Sequence, residues 1–344
     1  MNILLLGCGG NAGINFTKCL KNYSTHNFTV YGMDTNKYYL YTSNADVLIP
    51  SPEFKDSAEK LNFIKSIVLE KNIDFIHAQP DPEVKFLLEN KSHFEGKLFN
   101  HNIELWNIFS NKLYCQKIWK EKLALNFLAY SFSEIQDKPE LFNEVVSISG
   151  KAWVRYTEGA GSKAALPVTT LEQAKNWINY WKECRNLEES KFMIAEYLPN
   201  KEYAVQTFWH NGECIQIQAR IRLIYFFGAL MPSGQTSTPA VAVTVDDPNH
   251  LVYTIAKKAI LSIDEKPHGI YCVDLKESVK NEIVPMEVNY GRFFTTTDFF
   301  ASLGRNMPEA YVRGLTTPSP PLAERVYWVR GLDKEPKLLK NYQL

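Results

Sequence analysis

The sequence has little of what marks several common classes of protein. Lys and Arg together number 38 among the 344 residues and Asp and Glu together also number 38, so the formal net charge is zero. A nucleic-acid-binding protein normally carries a basic face, and this balance argues against one. No apolar run approaches the about 18 residues that a membrane-spanning helix needs. We therefore expect neither a nucleic-acid partner nor a membrane partner.

The cysteines are few and scattered. Six are present, and none lies in a C-x-x-C pair. This spacing excludes the usual thiolate zinc sites and is typical of free thiols in a reducing compartment. The chain begins MNILLLGCGG, an apolar run with no basic segment before it, which predicts a buried strand and not a signal peptide. We accordingly predict a cytoplasmic protein.

The N-terminal part of the chain alternates apolar strands with amphipathic helices. This alternation predicts a doubly wound α/β domain. The predicted strands are Asn2–Leu6, Phe28–Met33, Ala45–Ile49, Ile73–Ala78 and Lys97–Asn100.

A glycine-rich turn follows the first of these strands. It runs from Gly7 to Gly13, reads G-x-G-x-x-A and opens a helix, and Asp34 ends the next strand. This is the spacing of a dinucleotide-binding turn, and it supports an NAD(P)-dependent oxidoreductase as an alternative function. The same glycines can also be the tight loop that the topology needs, which is the interpretation we prefer.

Two acids, Asp81 and Glu83, follow the fourth predicted strand. That position is the ligand-facing edge of such a sheet, so either side chain could touch a substrate. Acids that stabilise a helix N-terminus are an equally good explanation.

The stretch VPMEVNYGRF is an apolar run that delivers Glu287, Asn289 and Arg292 at its exposed end. Asp274 ends a neighbouring strand-like segment, GIYCVD. Two antiparallel strands joined by the polar turn Lys276–Asn281 would bring Asp274 and Glu287 together. Two carboxylates and an amide oxygen suit Mg²⁺. An isolated E-x-N usually lies on a solvated hairpin, but these polar residues interrupt an apolar strand, which favours a functional site.

Further cations stand out between these segments. Ser110 is predicted to cap a helix over Asn111–Ala124, with Lys112 in its first turn, where the helix dipole opposes a positive charge. Arg155 interrupts an apolar strand that leads into the small-residue segment TEGAGSK, whose backbone could approach phosphate oxygens closely. Arg220 and Arg222 lie two apart on one predicted strand and so share a face.

In order along the chain, these motifs resemble those of the ATP-grasp superfamily over about residues 1–315. SNKLYCQKIW resembles the family's sDK helix start, and WVRYTEGAGSKAA resembles its vvKP..g.gg.G segment. FMIAEYLPNKEYAVQTF resembles qeyi.G.Eysvd.l, while GIYCVDLK and VPMEVNYGRF resemble G.v.vD and lEiNpR. Arg155 replaces the usual Lys, Tyr156 and Tyr290 replace prolines, and Gly291 shifts Arg292 by one position.

The resemblance implies a role for each group of candidate residues. The phosphates of ATP would be held by the cations and small residues Lys112, Arg155, Gly159, Ala160, Gly161 and Ser162. The adenine and ribose would be bound by Glu196, Tyr197, Leu198 and Glu202. The Mg²⁺ ligands would be Asp274, Glu287 and Asn289. The catalytic arginines, which face the acyl phosphate or the substrate, would be Arg220, Arg222 and Arg292.

The resemblance also implies an architecture within the α/β class. A doubly wound pre-ATP-grasp domain would occupy residues 1–108, followed by a two-lobed α+β ATP-grasp domain with antiparallel sheets. Its small lobe, with the phosphate lid, would span 109–200, and its C-terminal lobe, with the metal site, would span 201–315. Residues 316–344 lie beyond the resemblance, and the sequence itself predicts a tail that packs as a closing strand with a frayed terminus.

The implied function is an ATP-dependent carboxylate–amine ligase that uses ATP and Mg²⁺, with Mn²⁺ as a substitute. It would join small-molecule carboxylate and amine substrates, amino acids among them, through an acyl phosphate and release ADP and phosphate. A homodimer is the assembly that the family suggests. Two alternatives stay open: the NAD(P)-dependent oxidoreductase and a non-catalytic ATP-binding relative.

Overall fold

The computed structural model describes residues 1–99, 102–159, 164–236 and 238–331, together with the backbone of residues 337–339. Within these ranges the strands form one parallel sheet near the N-terminus and two antiparallel sheets after it. The prediction of an α/β chain that continues into antiparallel sheets is confirmed.

The parallel sheet is built by the first strands of the chain. These are β1 (Asn2–Leu6), β2 (Thr29–Asp34), β3 (Val47–Pro50) and β4 (Phe75–Ala78), in the order β3-β2-β1-β4. The helices of this part are α1 (Asn11–Asn22), α2 (Lys37–Leu40), α3 (Ser57–Glu70) and α4 (Asp81–Glu89). A strand predicted at Lys97–Asn100 is absent over the described residues 97–99. There the Lys97 carbonyl accepts a hydrogen bond from the Ile76 N–H at 2.8 Å, but no ladder follows, and Asn100 lies outside the described residues.

A smaller antiparallel sheet follows. Its strands are β5 (Ala129–Ser131), β6 (Ala152–Tyr156), β7 (Leu166–Val168) and β8 (Phe192–Glu196), in the order β5-β8-β6-β7. The helices here are α5 (Ile103–Ser110), α6 (Lys112–Lys122), α7 (Phe132–Asp137), α8 (Glu140–Ser149) and α9 (Leu171–Arg185). The cap of α6 is Asn111 and not Ser110, because the Asn111 side chain accepts from the Tyr114 N–H at 3.0 Å. Lys112 is therefore the first helical residue.

The large antiparallel sheet contains the remaining strands. They are β9 (Glu202–His210), β10 (Glu213–Tyr225), β11 (Pro239–Thr244), β12 (Gly269–Glu277), β13 (Ile283–Tyr290), β14 (Tyr327–Val329) and β15 (Lys337–Leu339). Their order is β13-β12-β9-β10-β11-β14-β15. The helices of this part are α10 (Leu251–Leu261), α11 (Asp298–Ala301) and α12 (Met307–Arg313). The predicted closing strand is thus present, because β14 pairs with β11 and extends this sheet.

Side-chain hydrogen bonds join helices from other parts of the chain to the region around strand β13. The Gln116 amide on α6 donates to the Pro285 carbonyl on β13 at 2.8 Å, and Trp119 on the same helix donates to the Ala259 carbonyl at 2.9 Å. From the N-terminal domain, the Asn15 amide donates to the Thr295 carbonyl just beyond β13 at 2.5 Å. Helix α6 is therefore bonded to β13 and to α10, and α1 is bonded to the segment after β13. None of the helices in the described chain has the length and hydropathy that crossing a bilayer requires.

Candidate functional site

Two carboxylates and one amide meet on adjacent strands of the large sheet. Asp274 on β12 lies directly opposite Glu287 on β13, as the antiparallel register predicts. The Asn289 side chain donates its amide hydrogen to Asp274 Oδ2 at 3.2 Å. We call Asp274, Glu287 and Asn289 the acidic row. The hairpin places three oxygen-bearing side chains side by side within an apolar strand pair, where all three are half-buried.

Two cations from other elements converge on the acidic row. Arg155 Nη2 on β6 lies 2.6 Å from Glu287 Oε2, and Lys112 Nζ at the start of α6 lies 3.5 Å from the same oxygen. Burial alone would raise the pKa of Glu287, but Lys112 and Arg155 hold it below its usual value. Burial lowers the pKa of Lys112, and Glu287 opposes this shift. The site therefore concentrates positive charge next to a carboxylate that stays ionised.

A second set of charges crosses strands β12, β9 and β10. Lys276, Glu202 and Arg222 are register partners on these strands. Arg222 bonds Glu202 at 2.8 Å and Asp274 at 2.6 Å, and Lys276 lies 3.4 Å from Glu202. Burial raises the pKa of Asp274 although Arg222 opposes this, and Glu287 adds to the rise. Arg222 therefore links Glu202 to the acidic row.

A cavity of about 390 Å³, which we call the main cavity, lies over these charges. Its apolar lining includes Trp153 on β6, Tyr197 and Leu198 just after β8, and Met286 on β13. Glu196 also lines the cavity, and burial raises its pKa. The predicted adenine-binding residues therefore line the same cavity as the acidic row. Its volume lies within the usual range of about 300–1,000 Å³ for small-molecule sites.

Glu202, predicted to bind ribose, lines the main cavity but is already fully engaged. One of its carboxylate oxygens accepts from Arg222 and from the Tyr225 hydroxyl, and the other accepts from Gln235 at 2.9 Å. Burial would raise the pKa of Glu202, but Arg222 and Lys276 lower it below its usual value. A ribose hydroxyl would have to share these acceptor sites.

Arg292 connects the acidic row to helix α4. Gly291 before it has a φ of +78°, a conformation that favours glycine, and this turn directs Arg292 back toward the strand. Its guanidinium donates to the Asn289 amide oxygen and to the carboxylate of Asp81, with Nη2 at 3.4 Å from Asp81 Oδ2. Of the two acids after β4, Asp81 therefore reaches the site, whereas Glu83 pairs with Lys60 at 2.7 Å.

Arg220 does not reach the main cavity. It shares a sheet face with Arg222, as predicted, but it is fully buried. Its guanidinium lies 5.1 Å from the ring centre of Phe294 and 5.5 Å from that of Phe300. Burial lowers its pKa to about 9. Phe294 packs against both arginines and separates Arg220 from the space that Arg222 lines.

The predicted phosphate lid is only partly described. Gly159 has a φ of +83°, and its carbonyl accepts from Lys112 Nζ at 2.6 Å. Ala160, Gly161 and Ser162 lie outside the described residues. The start of the lid is thus held against the first lysine of the site.

The glycine turn after β1 is filled by the chain itself. A Cβ on Gly7 would overlap the ring of Pro80, and one on Gly9 would overlap the backbone of Tyr39. The Gly9 N–H donates to the Asp34 carboxylate at 2.9 Å, and the Asn36 N–H donates to the same carboxylate. The glycines therefore allow close packing within the domain, as the interpretation we preferred predicts.

Sequence reasoning missed several residues at the main cavity. Lys276 lies two residues after Asp274 on the same strand, so simple alternation would have found it. Tyr225 lies an odd number of residues after Arg222, yet both bind Glu202, because a bulge in β10 between Arg222 and Tyr225 changes the side-chain alternation. Gln235 belongs to a connection that has no sequence signal of its own.

The acidic row fits a divalent cation by its chemistry. The described residues contain no group of three or more His, Cys, Asp or Glu side chains that could hold a metal. Two carboxylates and an amide oxygen are present instead, and Mg²⁺ often uses one or two carboxylates and completes its shell with phosphate oxygens and water. The cations now paired with these carboxylates could then turn to those phosphates.

Comparison with known proteins supports the fold. No protein-family model matches the sequence, and no curated protein matches it. N5-carboxyaminoimidazole synthetase from Staphylococcus aureus, solved with ADP, matches with a TM-score of 0.68 and 14% identity, over 96% of this chain and 82% of that one.

Two further solved structures match over similar lengths. Biotin carboxylase from Campylobacter jejuni, in a β-γ-ATP complex, has a TM-score of 0.70 and 14% identity, over 96% of this chain and 75% of that one. L-amino acid ligase from Bacillus licheniformis has a TM-score of 0.66 and 11% identity, over 95% and 80%. These neighbours share the ATP-grasp fold. The resemblance predicted from the motifs is therefore confirmed at the level of structure, and the chain has the ATP-grasp fold.

Proposed function

We propose that this protein is an ATP-dependent carboxylate–amine ligase that forms an amide bond and releases ADP and phosphate. The observation that carries the proposal is the meeting of Arg155 and Lys112 on Glu287, beside Asp274 and Asn289. This combination of hard oxygen ligands and cations suits a metal-bound triphosphate. The rings of Trp153 and Tyr197, which line the main cavity, offer a place for the adenine ring.

The reaction has two steps. A substrate carboxylate oxygen attacks the γ-phosphorus of ATP, the bond to the β–γ bridging oxygen breaks, and an acyl phosphate and ADP result. An amine nitrogen then attacks the acyl carbon, the phosphate leaves, and the nitrogen loses a proton. Both steps build charge on phosphoryl oxygens, and fixed cations can stabilise that charge.

The position of each residue in the site indicates the role that it would have in this reaction. Asp274, Glu287 and Asn289 would hold Mg²⁺, which supplies Lewis-acid stabilisation of the phosphates when bound. Lys112 and Arg155, drawn together by Glu287 in this structure, would bind phosphate oxygens. Arg222 and Arg292 border the main cavity next to the acidic row and would orient the acyl phosphate. Trp153, Tyr197 and Leu198 would hold the base and exclude water.

An assay of ADP release tests the proposal. Purified protein is incubated with Mg-ATP and with pools of carboxylates and amines, separately and together, and products are identified by mass spectrometry. We expect ADP release that requires Mg²⁺ and both pools, together with a product whose mass equals the two substrates minus water. ATP binding without turnover under every pool would favour a non-catalytic relative and contradict the ligase.

A further inference from the structure

The strand that carries Arg222 continues into an exposed apolar stretch of chain. Within residues 223–231, which we call the apolar segment, five large apolar side chains are between 45% and 78% exposed: Leu223, Ile224, Phe227, Leu230 and Met231. No Asp, Glu, Lys or Arg occurs between residues 223 and 245 of the sequence, although 22% of the whole chain is charged. Single exposed apolar side chains are normal on a protein surface, whereas a concentration of them indicates a binding surface.

The apolar segment belongs to an ordered turn. The Leu230 N–H donates to the Phe227 carbonyl at 2.9 Å. The Thr236 hydroxyl donates to the Phe226 carbonyl at 3.1 Å, which joins the two sides of the turn. The Arg330 guanidinium lies 5.1 Å from the ring centre of Phe226 and packs against the base of the turn. The exposed side chains are therefore presented by a backbone that is held in place.

Phe227 has a backbone conformation that an aromatic residue rarely adopts. Its φ of +56° and ψ of +15° lie in the left-handed region, which costs free energy for a bulky residue. Residues held in such conformations cluster at ligand-binding sites. The Phe227 side chain is more than half exposed, so burial in the core does not account for an aromatic ring here. A ligand that packs against the ring would account for it.

The apolar segment adjoins the main cavity. Tyr225, within the segment, and Gln235 and Thr236, just after it, line this cavity. Leu223 directly follows Arg222, which also lines the cavity and which we assign to the acyl phosphate. Because a strand advances about 3.3 Å per residue, the exposed apolar side chains begin within about 7 Å of Arg222 along the backbone. A substrate whose carboxylate lies at Arg222 can therefore extend over the apolar segment.

We propose that the apolar segment binds the apolar chain of the carboxylate substrate, and that this substrate is an amphipathic monocarboxylate with an alkyl chain. Charge complementarity supports this occupant, because Arg222 and Arg292 provide positive charge at the cavity and the segment beyond them provides none. The inference rests on the proposed ligase function, which places the carboxylate at these arginines. It adds a substrate class and the surface that recognises it.

A chain-length series tests the inference. Straight-chain carboxylates from acetate to decanoate are titrated into the full-length protein by calorimetry in the presence of Mg-ADP. Full burial of one methylene strengthens binding about fourfold, so a surface that covers one side of the chain should give about twofold per methylene. We expect the Kd to fall at least tenfold from butanoate to decanoate. Octanol, which lacks the carboxylate, should bind at least tenfold more weakly than octanoate.

Variants of the apolar segment test its part in this binding. Phe227→Asn removes the ring, and asparagine tolerates the left-handed conformation, so the fold should be kept. Leu230→Gln removes a side chain that is 78% exposed. The double variant should weaken binding of decanoate at least tenfold and leave binding of butanoate within twofold. Leu69→Gln is the matched control, because Leu69 on α3 is 79% exposed and does not line the main cavity. This control should change neither Kd.

Binding of Mg-ATP is measured on every variant and should stay within twofold of wild type. If wild-type protein binds Mg-ATP but its Kd for carboxylates does not fall with chain length, the inference is wrong and the ligase proposal stands. The same conclusion follows if the double variant keeps the full dependence on chain length. If wild-type protein does not bind Mg-ATP, the proposed function itself fails.

The double variant also identifies other occupants of the apolar segment. In sedimentation velocity, a wild-type dimer that becomes a monomer in the double variant would place a second copy of the chain on the segment. Flotation with vesicles of phosphatidylcholine and phosphatidylglycerol that is lost in the double variant would place a membrane surface there. Either result would overturn the proposal that the segment binds the substrate.

Discussion

The glycine turn after β1 and the acidic row on β12 and β13 both have the sequence pattern of a functional site. In the glycine turn, the space beside Gly7 and Gly9 is taken by Pro80 and Tyr39 of the same chain. At the acidic row, the space above the strands is a cavity lined by charged side chains. The difference lies in what occupies the volume next to the motif.

This comparison shows why charged residues inside an apolar strand indicate a functional site more strongly than glycine spacing does. Glycine spacing is required by any close packing of backbone, whether against a ligand or against the protein itself. Glu287 and Asp274, in contrast, cost free energy to bury unless cations or a metal compensate them. The cations are present, and they come from three separate elements, β6, α6 and β10.

The largest effect is expected from the acidic row. Glu287→Gln keeps the shape of the side chain but removes the charge that would bind a metal ion, so Mg²⁺-dependent ADP release should fall at least about a hundredfold. The measurement is the initial rate of ADP release at saturating Mg-ATP, with circular dichroism to check the fold. Glu282→Gln, an exposed residue in the turn before the same strand, is the matched control. Wild-type turnover in Glu287→Gln would contradict the role of this row.

A smaller loss is expected when one cation is removed from Glu287. Arg155→Ala should raise the KM for ATP about ten- to a hundredfold, because a charge-assisted hydrogen bond contributes about 1.5–3 kcal/mol. Arg155→Lys should recover part of this loss, since it restores the charge but not the planar fork. Steady-state kinetics over a range of ATP concentrations measure both. Arg185→Ala is the control, because Arg185 is at the exposed end of α9 in the same part of the chain, and it should leave the KM for ATP unchanged. An equal rise in the KM of Arg185→Ala would contradict a specific role of Arg155 in binding ATP.

The smallest effect is expected in the glycine turn, and it should concern stability. Gly9→Ser places a Cβ on the backbone of Tyr39 and should lower the free energy of unfolding by about 1–3 kcal/mol. Gly10→Ser should be neutral or stabilising, since the nearest atom to its Cβ is 4.0 Å away and Gly10 is the N-cap of α1, where Ser is favoured. Urea denaturation followed by fluorescence measures both.

A turn that binds a dinucleotide would respond differently. Both serines would then weaken binding of NADH or NADPH to the folded protein, whatever their effect on stability. Such a loss of nicotinamide-nucleotide binding would restore the oxidoreductase as a candidate.

Much of this arrangement follows from local patterns. Two apolar runs, one ending at Asp274 and one containing Glu287, are joined by a short polar turn, and this pattern predicts an antiparallel hairpin. That pairing places the two carboxylates opposite each other. The N-terminal alternation of strands and helices likewise predicts a parallel sheet. These features depend on side-chain period and turn chemistry, both of which can be read from the sequence.

The remaining features depend on contacts between distant segments. Arg220 is buried against Phe294 and Phe300, which both follow a different strand. The contribution of Tyr225 depends on a bulge that changes the alternation of β10. The bond from Arg292 to Asp81 joins the site to helix α4, more than 200 residues earlier in the chain. No local pattern in the sequence determines any of these three.

Thermal unfolding with nucleotides tests the central claim most directly. The purified protein is titrated with ATP with and without Mg²⁺, and separately with NADH and NADPH. Because a ligand that binds only the folded state stabilises it by RT ln(1 + [L]/Kd), saturating Mg-ATP should raise the Tm, and ATP in a chelator should raise it much less. Stabilisation by a nicotinamide nucleotide, with none by Mg-ATP, would contradict the account and move the function to the glycine turn.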